Sequence, residues 1–198
     1  KDGGENWSNV TENLVGIPAN TWVYHIEASV HGKGTAYAVF EGHTSGDMNP
    51  YTLKTIDYGQ TWSNIISEDV HGFIRNIQED YESENLLFLG TEFGLYVTID
   101  GGENWSKFEN NMPATAVHFM ELQKQTNDLV MGTHGRGVII IDDISPLREL
   151  SQEVLAQDVY FFKNKPFTML EDSGFSGSFG TETQFVGQSK SSAARIVY

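Results

Sequence analysis

The eight residues Thr98-Ile99-Asp100-Gly101-Gly102-Glu103-Asn104-Trp105 recur, nearly copied, at Thr55-Ile56-Asp57-Tyr58-Gly59-Gln60-Thr61-Trp62 and again at Asp2-Gly3-Gly4-Glu5-Asn6-Trp7. The shared core is Asp-x-Gly-x-(Thr/Asn)-Trp. In a tight turn the Asp carboxylate accepts backbone N–H bonds, and Gly takes the positive φ that other residues resist. The Trp then opens the next strand as a large apolar anchor with one N–H to satisfy. Each copy predicts a hairpin, here termed a box. Asp2 and Trp7, then Asp57, Gly59 and Trp62, then Asp100, Gly102 and Trp105 are accordingly read as structural. One Asp per turn cannot converge on a substrate.

The boxes set the period. Asp2 and Asp57 are 55 residues apart, Asp57 and Asp100 43. A repeat of about 40–45 residues, four short strands each, is propeller spacing. The fold expected is all-β: four-stranded antiparallel blades, two complete and two partial, over residues 1–144. Residues 1–10 close one blade, with Trp7 to Val10 as its outermost strand. Trp22 to Val30, Thr35 to Phe40, Tyr51 to Ile56 and Trp62 to Ile66 form the next, with the polar loop His43 to Pro50 as an insertion. Phe73 to Gln78, Leu86 to Thr91, Leu95 to Ile99 and Trp105 to Phe108 form a cleaner one. Val117 to Leu122, Leu129 to Thr133 and Val138 to Ile141 repeat the first three strands only. From 145 to 170 the spacing of Leu147, Leu150, Val154 and Leu155, with Pro146 in a first turn, predicts a helix of two or three turns. A strand follows at Asp158 to Phe162. Residues 171–198 read as a Gly/Ser-rich linker and the start of a further β domain.

The boxes resemble the Asp box of the BNR-repeat β-propellers, a group that includes sialidases, xyloglucanases and sortilin-like receptors. The run Gly132-Thr133-His134-Gly135-Arg136-Gly137, an apolar strand, then Asp142-Asp143-Ile144-Ser145-Pro146-Leu147-Arg148-Glu149-Leu150 is similar to the propeller end of large bacterial sortilin-like proteins. This resemblance implies an extracytoplasmic setting, periplasmic or secreted, and box turns far from the binding face. The chain opens inside a repeat, so it is expected to be a piece of a longer protein, packing against its remaining blades or a second copy.

Composition narrows the partners. Twelve Lys and Arg against 27 Asp and Glu leave a net charge of −15, which repels nucleic acid and anionic membrane surfaces. No apolar run approaches the roughly 20 residues of a membrane span. With no Cys, thiolate metal sites are excluded. His25, His31, His71 and His118 lack ligand spacing and read as core or surface residues. No metal or cofactor is expected.

Candidate binding residues come from the loop after each second strand. Phe40-Glu41-Gly42-His43, Leu89-Gly90-Thr91-Glu92 and Met131-Gly132-Thr133-His134 align, so His43, Glu92 and His134 are expected at one face, opposite the boxes. Arg136 joins them; its planar fork suits a carboxylate or sugar hydroxyls. Sialidase chemistry is disfavoured by the few arginines. A glycosidase needs two carboxylates about 5–9.5 Å apart, and among Glu41, Asp47 and Glu92 no spacing singles out a pair. The leading expectation is a non-catalytic, sortilin-like propeller segment that binds polypeptide or glycan. The alternative is a fragment of an Asp-box glycoside hydrolase.

Overall fold

The computed structural model describes residues 3–163 and 196–198; Asp2 and the expected 171–194 linker lie outside them. The chain divides into two compact units, residues 1–151 and 152–198. In the first, three antiparallel meanders follow one another. β1 (Trp22–Ala28), β2 (Ala36–Gly42), β3 (Asp47–Thr55) and β4 (Ser63–Asn64) form one sheet in that order. β5 (Ile74–Glu79), β6 (Leu87–Thr91), β7 (Gly94–Thr98) and β8 (Ser106–Lys107) form the second. β9 (Ala116–Gln123), β10 (Asp128–His134) and β11 (Val138–Ile141) form the third, in order β11-β10-β9. These are blades of an all-β partial propeller, with β1, β5 and β9 as the inner strands.

The core lies between blades. Tyr37, Val39, Ile74, Ile77, Leu87, Leu89 and Trp105 join the first sheet to the second. Phe88, Leu95, Val117, Met120, Leu129 and Met131 join the second to the third. The outward flanks are open: Val23 and Ile26 on β1 are 49% and 63% exposed, and Val138 and Ile140 on β11 66% and 55%.

Both complete boxes fold alike. Asp57 Oδ1 accepts the Thr61 N–H at 2.9 Å and its Oδ2 the Thr61 hydroxyl at 2.7 Å. Asp100 does the same with the Asn104 N–H at 2.9 Å and side-chain amide at 2.8 Å. The Thr two residues earlier donates to the carboxylate and accepts from the glycine, as Thr55 does from the Gly59 N–H at 2.9 Å and Thr98 from the Gly102 N–H at 3.2 Å. Gly102 has φ +101, and a Cβ there would stand 3.0 Å from the Ile65 Cβ, so both turn and packing require glycine. The tryptophans divide. Trp105 is buried and donates to Ile65 O at 2.6 Å; Trp62 is half-buried; Trp7 is 89% exposed and donates only to Gly4 O.

Some elements differ from expectation. The outer strands shrink to two residues, and Trp7 to Val10 carries no strand. Once the Trp has anchored the turn, little ladder is left to form. Part of the expected 43–50 loop is strand: after a 3₁₀ turn at His43–Ser45, β3 begins at Asp47, whose carboxylate holds Asn49 and Tyr51. The expected helix breaks into a 3₁₀ turn, Ser145–Glu149, and one α-turn, α1 (Gln152–Leu155), because Leu150 is extended. Leu147 packs into the second core. Arg148 reaches the fully buried Asp80, donating from Nε at 2.9 Å and Nη2 at 2.7 Å. Those anchors hold the chain off a continuous helix. In the second unit, Asp158 to Phe162 has no strand ladder, although Phe162 N–H donates to Val197 O at 3.1 Å.

Removing box partners tests this scaffold. Asp100→Ala leaves turn N–H groups without acceptors and costs about 1–2 kcal/mol; Trp105→Ala costs about 3–5 kcal/mol. Arg148→Ala strands a buried carboxylate and also costs about 3–5 kcal/mol. Urea unfolding measures all three, and a loss under 0.5 kcal/mol (about the neutral-surface level) in any of them contradicts its assigned role. The box also sets an acid response. Thr61, through its hydroxyl and then its N–H, holds the Asp57 carboxyl down at about 2 from 3.8. A depressed carboxylate contributes stability that is complete above its unfolded value and lost as pH falls through its folded value. Stability should therefore decline between about pH 4 and pH 2, and Asp57→Asn should flatten that part of the curve.

Candidate functional site

Hairpins of a meander alternate ends, so the β2–β3, β6–β7 and β10–β11 turns share the end opposite the boxes. His43, Glu92, His134 and Arg136 all sit there. His43 and Glu92 are half-buried; His134 and Arg136 are exposed. The Arg136 turn is set by positive φ at Gly135 and Gly137 and closed by the Thr133 hydroxyl, which donates to Gly137 O at 2.7 Å. Among the described residues Arg136 makes no ion pair.

The ladders place a different residue of the first blade in the row. Counting from the box threonines, Ala36 pairs with Thr55 as Leu87 pairs with Thr98. In the inner pairings Trp22 opposes Glu41 and Ala116 opposes His134, while the Glu92 N–H donates to Phe73 O at 3.0 Å. Glu41, rather than His43, is therefore in register with Glu92 and His134. The β2–β3 hairpin is eight residues longer than β6–β7 between matching rungs, Ala36 to Thr55 against Leu87 to Thr98, and a count from sequence alone misassigns the rung.

The side chains that meet at this end are mostly ones that sequence patterns do not single out. Glu41 is 4% exposed; its Oε1 accepts the His43 N–H at 2.8 Å and lies against His43 Nδ1, and its Oε2 is 3.8 Å from the Arg75 Nη1. His43 stacks on Phe73 at 4.8 Å between centroids. The Arg75 guanidinium stands over Tyr24 at 4.6 Å and over Phe73 at 5.0 Å. His118 stacks on His134 at 5.3 Å. Tyr24, Arg75 and His118 each fall at a ladder irregularity. The register shifts between Val23 and His25, between Ile74 and Asn76, and between the Val117 and Phe119 pairings. Each is thus the extra residue of a bulge on its inner strand. A sequence trace exists: the apolar residues flanking each are three apart (Val23 and Ile26, Ile74 and Ile77, Val117 and Met120) where strict alternation would space them by two.

This end mixes both signs of charge, Arg75 and Arg136 standing among Glu41, Asp47 and Glu92. Burial first, then the charges of Arg75, His134 and His43, push His118 below its ordinary 6.5. Among the described residues no three His, Asp or Glu side chains are grouped to hold a metal ion, and no helix is long and apolar enough to cross a membrane.

The sequence matches no protein-family model and no curated protein. Similar backbones occur among solved structures. An ancestral GH74 enzyme is 14% identical with a TM-score of 0.48, over 58% of this chain and 14% of its own. YCF48 bound to D1 peptide is 23% identical at 0.47, over 66% and 39%. YCF48 from Cyanidioschyzon merolae is 15% identical at 0.40, over 65% and 55%. The chain spans less than two thirds of the length of each.

His118 should be neutral at pH 7. Its depressed value means that the unfolded chain takes up the proton first, so stability present above about 6.5 is lost as pH falls through the folded value. An NMR titration of the His118 ring should show an inflection below 6.5 that moves upward in Arg75→Gln. An inflection above 6.5 contradicts the packing described.

Proposed function

We propose that this chain is a non-catalytic segment of an Asp-box propeller, of the sortilin-like kind, that binds polypeptide on the face opposite its boxes. The observation that carries this reading is the Arg75 guanidinium, held between Tyr24 and Phe73 within a group of three histidines. Arg75, Arg136 and the histidines His43, His118 and His134 lie at this end together with the carboxylates Glu41, Asp47 and Glu92. Glu41, the buried carboxylate at this end, is engaged by His43 and faces Arg75, which suits a positioning role better than proton transfer. The rings of Tyr24 and Phe73 are covered by the guanidinium and by His43, so neither offers a free platform for a sugar. Exposed Trp22 and Phe93, 70% and 48% open, supply apolar contacts at the same end. Rigid blades that present loops are a common way to build such a surface.

Panning a randomised dodecapeptide library and a glycan array on the full chain tests the reading. Peptides should be enriched, and Trp22→Ala and Arg136→Ala should each weaken them about tenfold without lowering the melting temperature. Enrichment of glycans alone, or peptides indifferent to both changes, contradicts it. The open apolar flanks of β1 and β11 support a second proposal, that further blades or a second copy cover them. Light scattering should find self-association of the isolated chain; a monodisperse 22.1 kDa monomer that melts cooperatively contradicts this.

A further inference from the structure

A bulge breaks ladder hydrogen bonds, twists its strand and re-aims one side chain. Here one occurs on each inner strand, at the same rung: just past the pairs Val23–Phe40, Ile74–Thr91 and Val117–Thr133. Three blades thus spend a ladder position in one place, and the side chains there are Tyr24, Arg75 and His118. None is an apolar core residue.

Arg75 is the least satisfied of them. Its side chain is 14% exposed, and its Nε is buried without a hydrogen-bond partner. Its closest approach to a carboxylate, 3.8 Å from Glu41 Oε2, is beyond hydrogen-bond length. Among the described residues the guanidinium makes no hydrogen bond, and it stands over two rings, 4.6 Å from that of Tyr24 and 5.0 Å from that of Phe73. A guanidinium has five N–H donors in a rigid fork, and here the fork makes only the long 3.8 Å approach to Glu41 and no hydrogen bond. Glu41 does not consume it, because Oε1 is already taken by His43.

We propose that the three bulge residues form one subsite, in which Arg75 takes a carboxylate of the polypeptide ligand and Tyr24 and His118 contact the ligand on either side. The inference rests on the peptide-binding reading above. A planar fork matches a carboxylate through two parallel bonds, a geometry that Lys cannot reproduce. His118 and its stacked partner His134 supply further N–H donors.

Fluorescence anisotropy on the full chain decides it, with randomised octapeptide pools as probes. One pool carries a free C-terminal carboxylate, one is amidated with a central Glu, and one is amidated with a central Gln. The carboxylate pools should bind about tenfold tighter than the Gln pool, with Arg75→Lys abolishing the difference. Which of the two carboxylate pools is preferred assigns the group to the chain terminus or to an acidic side chain. In the unmodified protein the Arg75 Nε–H resonance should shift on adding either pool, a readout independent of how the variant folds. Equal binding of all three pools, or a preference that survives Arg75→Lys, overturns the subsite and leaves the peptide-binding face standing. Binding by none of them overturns both. Digalacturonate that shifts the Nε–H resonance where peptides do not overturns the polypeptide assignment.

Discussion

The structure depends on a carboxylate that reaches four residues forward to close a turn. In Asp57 and Asp100 that bond is doubled by a side chain at the same position, Thr61 or Asn104, and backed by a threonine hydroxyl two residues earlier. The carboxylate meets a local set of donors, so the turn forms from eight contiguous residues and needs no distant partner. Its consequences are geometric. A turn fixed in this way sets the register between third and fourth strands, places the Trp at the start of the fourth, and in the second blade drives it into the core between sheets. Asp100 is partly buried, which raises its pKa, yet the bonds from Thr98 and Asn104 outweigh that and hold it below its ordinary value.

The third blade reaches a similar end by other means. It has no box, yet Ile144 N–H donates to Asn127 O at 2.8 Å, as Tyr58 N–H does to Gly34 O and Gly101 N–H to Asn85 O, both at 2.9 Å. Asp143 occupies the box Asp position and accepts from the Ser145 hydroxyl. In place of an outer strand the chain turns through Ser145–Glu149 and closes with Arg148 on Asp80 and Glu82, over the Tyr81 ring. A bidentate, buried ion pair between the end of the repeats and the β5–β6 turn stands where the other two blades have a box hairpin.

What can be read from sequence is what is local. The boxes, the period and nearly every inner strand follow from residue types and spacing, because turn chemistry and apolar alternation act within a few residues. The face opposite the boxes is also legible, since hairpins alternate. The identity of its central residue is not. In sequence Arg75 is one of a few scattered arginines, and His118 reads as a surface or core histidine. Their neighbourhood exists only once Tyr24, Glu41 and Phe73 arrive from other strands. The bulges do leave a mark, a spacing of three between apolar residues at each inner strand. Reading strands as strict alternation hides it. Arg148 is invisible for the same reason: nothing near it in sequence announces Asp80, 68 residues away.

Native-state hydrogen exchange tests most directly whether the box turns hold the register on which the bulge row depends. The amides of Thr61 and Asn104, which bond the box carboxylates, should exchange only through the same opening as the inner-strand amides of Ile77 and Leu89. All four should then converge on one free energy and one urea dependence. Rapid exchange of Thr61 and Asn104 through local openings, with Ile77 and Leu89 still protected, would contradict the account: the ladders would then hold their register without the boxes.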